Sequence, residues 1–170
     1  MKKCYFLAAL AITSACRAVA IASQHDVILN QDSFRFAEQL IGQGHFVADK
    51  KGTWSDHQPS PKEENEFIRV HGIAEYAKWH LAIDPRHGEN SKARYKFPVG
   101  DFTNVDRSAL IAIRSRAREY GYSDIENAAA NLQRRLEQKA SESHARSNSS
   151  KLSHRWQSAT SLPNAPRPVL

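Results

Sequence analysis

At 170 residues the chain has room for one ordinary core rather than two, and 41% hydrophobic residues is a globular composition. The formal charge of +6 divides into +3 over residues 1–22, zero over 23–140 with 17 charges of each sign, and +3 over 141–170, so the basic balance belongs to the two ends and is not a nucleic-acid signature of the middle. Both cysteines, Cys4 and Cys16, lie in the first 22 residues, which excludes a disulfide or a Cys-ligated zinc site in the remainder.

Residues 1–22 open with Lys2 and Lys3 and continue as an apolar run, the layout of a secretory signal peptide and too short for a membrane span, which needs about 20 apolar residues. Ala18-Val-Ala20 and Ala20-Ile-Ala22 both fit small-x-small cleavage. Thr13-Ser-Ala-Cys16 resembles a lipobox that would lipidate Cys16, although Thr13 departs from the usual Leu. Export to the periplasm is the expectation. The alternative is a start codon placed upstream of a cytoplasmic protein beginning near Val27 or Leu29, and Arg17, which interrupts the apolar run, speaks for it.

The domain itself is expected over residues 30–140. A first helix begins at Gln31 or Asp32, with Phe34, Ala37, Leu40 and Ile41 as its apolar stripe and Gly42 and Gly44 at its end. Ser60 caps a second helix, with Pro61 at the first helical position and Glu63 completing a Ser-x-x-Glu capping box. Phe67, Ile68 and His71 face inward before Gly72 ends it. From Tyr76 the period changes to two. Ala77, Trp79, Leu81 and Ile83 alternate with Lys78, His80 and Ala82, and Ala93, Tyr95 and Phe97 alternate with Arg94 and Lys96, which predicts a β-hairpin closed by the polar link 84–92. A helix over Ile73 to Trp79 is the competing reading of the first strand's start.

Thr103 with Asp106 predicts the cap of a third helix carrying Val105, Ala109, Leu110, Ile113 and Ala117 inward. Ser123 with Glu126 starts a fourth, with Ile125, Ala128, Ala129, Leu132 and Leu136 inward. The short Gly121-Tyr-Ser123 link makes these two helices neighbours. The expected fold is α+β, about four helices packed on a β-hairpin. Residues 141–170, rich in Ser and Pro, cannot bury enough apolar area to offset ordering and are expected to be a disordered basic tail.

The blocks Trp54 to Ser60, Glu64 to Ile68, His71-Gly72, Glu75-Tyr76, Trp79 to Leu81, Arg94 to Phe102 and Asp124 to Ala129 together resemble a family of small uncharacterised bacterial proteins. The resemblance spans residues 33 to 138 and implies no activity.

The surface most suited to recognition is Trp54, His57, Trp79, Tyr95, Phe97 and Arg107, which points to a non-enzymatic binding domain, with a protein among its partners. A second reading is nucleic-acid or polyanion binding through residues 92–118, where Lys92, Arg94, Lys96, Arg107, Arg114, Arg116 and Arg118 interleave with Tyr95, Phe97 and Phe102. There the competing account is a solvated face paired with the acidic residues of 49–66. A helix-turn-helix over Ala117 to Arg135 fails because Asn127 stands where a buried aliphatic residue is needed. A third reading is a metal- or His-dependent enzyme. His45, Asp49, Asp56, His57, His71 and His80 have suitable donors but no recognised ligand spacing, so no metal and no cofactor is expected, and His57 with Asp56 is the best acid/base pair.

Overall fold

The computed structural model describes residues 27–48 and 52–159, with side chains as far as residue 147. The expected leader with Cys16, the metal-ligand candidate Asp49 and the last part of the tail fall outside the described residues. Within them the chain is a small α+β domain in the order β1 (Ile28–Leu29), α1 (Gln31–Gln43), β2 (Phe46–Val47), α2 (Trp54–His57), α3 (Pro61–His71), α4 (Ile73–Lys78), β3 (His80–Ile83), β4 (Tyr95–Pro98), β5 (Val105–Asp106), α5 (Arg107–Glu119) and α6 (Ser123–Ala159).

The first helix begins at Gln31, one of the two expected starts, with Asn30 as its N-cap. Asn30 is extended, its Oδ1 accepts from the Ser33 amide at 3.3 Å, and Gly44 closes the other end in the left-handed region. The Ser60 capping box forms as expected, and Gly72, at φ 84°, ends α3. No residue of α3 is buried, so Phe67 and Ile68 lie half-buried at the rim of the core and His71 is exposed.

The predicted hairpin is present, but its first strand starts later. Ile73–Lys78 is helical, as the competing reading has it, and Trp79 is the C-cap of α4 rather than a strand residue. β3 is the middle strand of a three-stranded antiparallel sheet, β1-β3-β4, with Leu29 opposite Ala82 and Ala82 opposite Lys96. A middle strand also packed by α1, α4 and α6 is covered on both faces. His80, Leu81 and Ala82 are therefore all buried, which corrects the alternation that put His80 and Ala82 toward solvent.

The block from Arg94 to Phe102 owes its composition largely to backbone demands. Phe97 and Phe102 both have positive φ, 62° and 67°, a conformation few side chains adopt. Between them, a Cβ on Gly100 would lie 1.9 Å from the Asn104 carbonyl oxygen, so only glycine fits. The Asp101 carboxylate then accepts from the amides of Thr103 and Asn104 and closes the turn. That turn delivers Val105 to a parallel two-stranded pairing with Phe46 that the sequence reading did not contain. The third helix is capped by Asp106, not Thr103: Asp106 Oδ1 accepts from the amides of Ser108 at 2.6 Å and Ala109 at 3.1 Å.

α5 and α6 pack side by side across the short link at Gly121, and Ile125, Ala128, Ala129, Leu132 and Leu136 of α6 are all buried with Leu110, Ile113 and Ala117 of α5. α6 runs on past Ser141, where composition predicts the loss of order. There the hydroxyls of Ser141 and Ser143 fold back and donate to the carbonyls of Gln138 and Ala140. Among residues 137–147 none is buried. Deleting residues 141–170 is therefore expected to leave the midpoint of thermal unfolding within a few degrees of the full chain, measured by circular dichroism; a larger fall would mean that this segment packs on the domain.

Trp79, 4% exposed, shares the core with Leu110 and Ile113 and meets Phe36 and Phe102 edge to face at 5.2 and 6.0 Å. Trp79→Ala is expected to cost about 3 to 5 kcal/mol in urea unfolding, whereas Trp54→Ala, half-buried in the one-turn α2, is expected to cost less than about half of that.

Candidate functional site

The structure separates the residues that the sequence puts on one recognition surface. Trp79 is buried and serves the core. Phe97 packs edge to face on Tyr122 at 6.3 Å. Arg107 is bound to Glu137 through Nε at 2.8 Å and a terminal nitrogen at 2.6 Å, and Arg118 is bound to Glu126. Trp54 and His57 sit together on α2, remote in the chain from Tyr95, which lies on β4.

His57 pairs with Asp106 rather than with its neighbour Asp56. Its Nδ1 lies 2.9 Å from Asp106 Oδ2, and because a carboxylate only accepts, that nitrogen carries the hydrogen. Asp106 is 2% exposed. Burial pushes its carboxyl up, but hydrogen bonds from Ser108, His57 and the amides of Ala109 and Ser108 together outweigh burial and hold it below the usual carboxylate range. The bond ties α2 to the start of α5, an arrangement that also orients an imidazole as acid/base centres do. Thr53 joins it through a 3.2 Å bond to Ser108 Oγ.

His80 is the other perturbed histidine. Its Nδ1 lies 2.9 Å from the Tyr76 carbonyl and its ring lies 4.2 Å from that of Tyr76. Burial lowers its pKa to about 4, against the opposing pull of the Tyr76 carbonyl and of Glu64. Around it, burial and Glu64 hold the Tyr76 phenol protonated, and Glu64 is itself ion-paired with Lys92 at 2.6 Å. With His45 and His71 exposed and Asp56 bonded to Ser55, no three His, Cys, Asp or Glu side chains among the described residues are grouped to hold a metal.

The principal concavity is a groove of about 640 Å³ between α1, α4 and the hairpin. Phe36, Ala74, Ala77, Ile83 and Tyr95 supply apolar wall, and Asp32, Arg35, Gln39, Lys78, Glu89 and Arg94 supply polar groups. Several are held in place. Lys78 bonds Glu75 at 2.6 Å, Arg94 donates to the His87 carbonyl at 2.7 Å, and the Tyr95 hydroxyl donates to the Glu89 carbonyl at 2.8 Å. At the end of β3, Asp84 is clamped by Arg86, which holds its carboxyl well below the usual range and fixes the turn that carries the link to Glu89.

Of the residues expected to form the recognition surface only Tyr95 lines this groove, joined by Arg94 of the polyanion reading. The signal for the rest was Phe36: two positions after Phe34 it falls off the inward stripe of α1, and an aromatic residue off the stripe marks a second packed face. Beside Phe36 the groove uses Arg35 and Asp32 from that face. Neither a family model, nor a curated protein, nor a solved structure matches the chain.

Protonating buried His80 should destabilise the fold. Its folded pKa of about 4 lies below the unfolded value of 6.5, so the unfolded chain binds the proton first; stability is complete above pH 6.5 and is lost as pH falls toward 4. The expected loss is roughly 3 kcal/mol at 1.36 kcal/mol per pKa unit. Urea unfolding at pH 7, 5.5 and 4 checks it, with His80→Gln as the reference in which this component vanishes while the carboxylates still titrate. Parallel pH curves for the two proteins would contradict it.

Proposed function

We propose that this domain acts by binding, without catalysis of its own, and that its ligand occupies the groove between α1, α4 and the hairpin. The observation that carries the reading is the groove itself, whose volume of about 640 Å³ lies within the roughly 300–1,000 Å³ of small-molecule sites. Its chemistry favours a small acid with an apolar body. Phe36, Ile83 and Tyr95 offer the body an apolar seat, while Arg35 and Arg94, which make no ion pair among the described residues, offer guanidinium donors to an anionic head; Lys78 is neutralised by Glu75. Arg94 is already oriented by its bond to the His87 carbonyl, so little ordering entropy is lost when it meets the head.

The likeness of the motif blocks to small bacterial proteins is compatible with this and adds no ligand. If residues 1–22 are an export signal, the acid is met outside the cytoplasm; intact-mass determination of the mature N-terminus decides that part. No helix among the described residues is long and apolar enough to cross a membrane.

A thermal-shift screen of aromatic and aliphatic carboxylates tests the groove. A true ligand raises the unfolding temperature in proportion to the logarithm of its concentration above Kd, by the equivalent of about 2.7 kcal/mol at a hundredfold excess. Arg35→Ala and Tyr95→Ala should each weaken it about tenfold. Ligands that protect both variants as well as the native chain would place the site elsewhere.

A further inference from the structure

Ion pairing dismantles most of the basic stretch 92–118. Lys92 is paired with Glu64, Arg116 with Glu119, Arg118 with Glu126, and Arg107 with Glu137. Lys92 finds its partner among the acidic residues of 49–66, whereas Arg107, Arg116 and Arg118 pair with glutamates of α5 and α6. Arg114 is different. It faces α6 across a groove of about 430 Å³ that it lines together with Arg134, Asn127, Asn131 and Gln133.

Glu137, a carboxylate that also lines this groove, is already engaged. Its Oε1 accepts from Gln133 at 3.0 Å and from both Arg107 contacts, and these hydrogen bonds, with Arg107 and Arg114 adding their charge, hold the carboxyl ionised below its ordinary range. Arg114 therefore feels Glu137 without hydrogen-bonding to it. Arg134 donates only to the neutral Asn131 side chain, at 2.7 Å, so both guanidiniums lie outside ion-pair distance of any carboxylate among the described residues. Gln133 is pinned by the same geometry: its Nε2 must face the carboxylate, which leaves Oε1 buried without a donor. Two guanidiniums and the side chains of Asn127 and Asn131, four residues apart on one helix face, thus border a single polar concavity.

We propose that the groove between α5 and α6 is an anion site that takes a phosphate group, free or as a small phosphomonoester, through Arg114 and Arg134 with Asn127 and Asn131 as further donors. A phosphate suits this set because planar guanidiniums present paired N–H groups that match its oxygens and amide side chains supply neutral donors beside them. The site stands apart from the groove at Tyr95 and shares no lining residue with it.

The test is a two-dimensional NMR titration of the full chain with inorganic phosphate against chloride at equal ionic strength, repeated with glycerol phosphate. Saturable shifts are expected at the side-chain N–H groups of Asn127, Asn131, Arg114 and Arg134, with those around Tyr95 unmoved. Arg114→Gln and Arg134→Gln should each weaken binding about tenfold, and the double variant should abolish it while the rest of the spectrum stays in place. Tighter binding of the ester would assign the monoester as the ligand form. Shifts that do not saturate, or equal affinity in the double variant, would overturn the proposal. So would a single-stranded oligonucleotide that binds through the same residues far more tightly than either probe, since that makes the groove part of a nucleic-acid surface.

Discussion

The turn from α4 into β3, Ala77 to Leu81, is the junction on which the rest of the domain is hung. Asn30 donates its side-chain amide to the carbonyls of Ala77 and His80, both at 3.0 Å, while its backbone amide donates to Leu81. One residue thereby caps α1, anchors β1 and satisfies carbonyls that the end of a helix would otherwise leave unpaired. From the other side the Val99 amide donates to the Trp79 carbonyl at 2.9 Å. The indole fills the space between Phe36 and Phe102, and Phe102 stacks on Phe67 at 4.2 Å, which brings in α3. A buried polar backbone is costly unless fully bonded, and here the bonds come from Asn30 at the head of α1 and from Val99 after β4, so these segments are fixed relative to the junction.

That construction explains why the aromatic and polar residues that stand out in the sequence are mostly absorbed by the fold. Trp79 closes the junction, Phe102 carries the stack to α3, and His57 holds α2 against the cap of α5 through Asp106. The principal groove is a consequence of the same junction. Asn30 ties the start of α1 to the end of α4, Phe36, Ala74 and Ala77 of these helices line the groove, and the hairpin supplies Tyr95 as a further wall. Recognition there rests on residues that are plain in sequence and become a site only by convergence.

Charge shows the same division. The cations of 92–118 look like one patch in the chain, yet their side chains are distributed over a hairpin and two sides of a helix. Partners three residues apart, such as Arg116 and Glu119, or eight apart across the α5–α6 link, such as Arg118 and Glu126, neutralise them locally. Exposed pairs of this kind contribute little stability, about 0 to 1 kcal/mol each, but they do remove charge from a surface that would otherwise attract polyanions. Of the cations left without an ion pair among the described residues, Arg114 meets Arg134 at one concavity because α5 and α6 run side by side.

The sequence by itself determined what depends on neighbours a few residues away. The Ser60 capping box, the stop at Gly72, the inward stripes of α5 and α6 and the existence of the hairpin are local consequences of side-chain spacing and glycine freedom, and they stand in the structure as the spacing implies. Only the tertiary structure decided what rests on partners about fifty residues away. Asn30, which caps α1, is fixed in place because its side-chain amide meets Ala77 and His80. Asp106 rather than Thr103 caps α5 because β2 pairs with β5 and His57 reaches its carboxylate. His80 is buried because a third strand and helices cover β3, which alternation along a single strand cannot reveal. The grooves belong wholly to this second class, since a concavity is a relation among surfaces that no one segment contains.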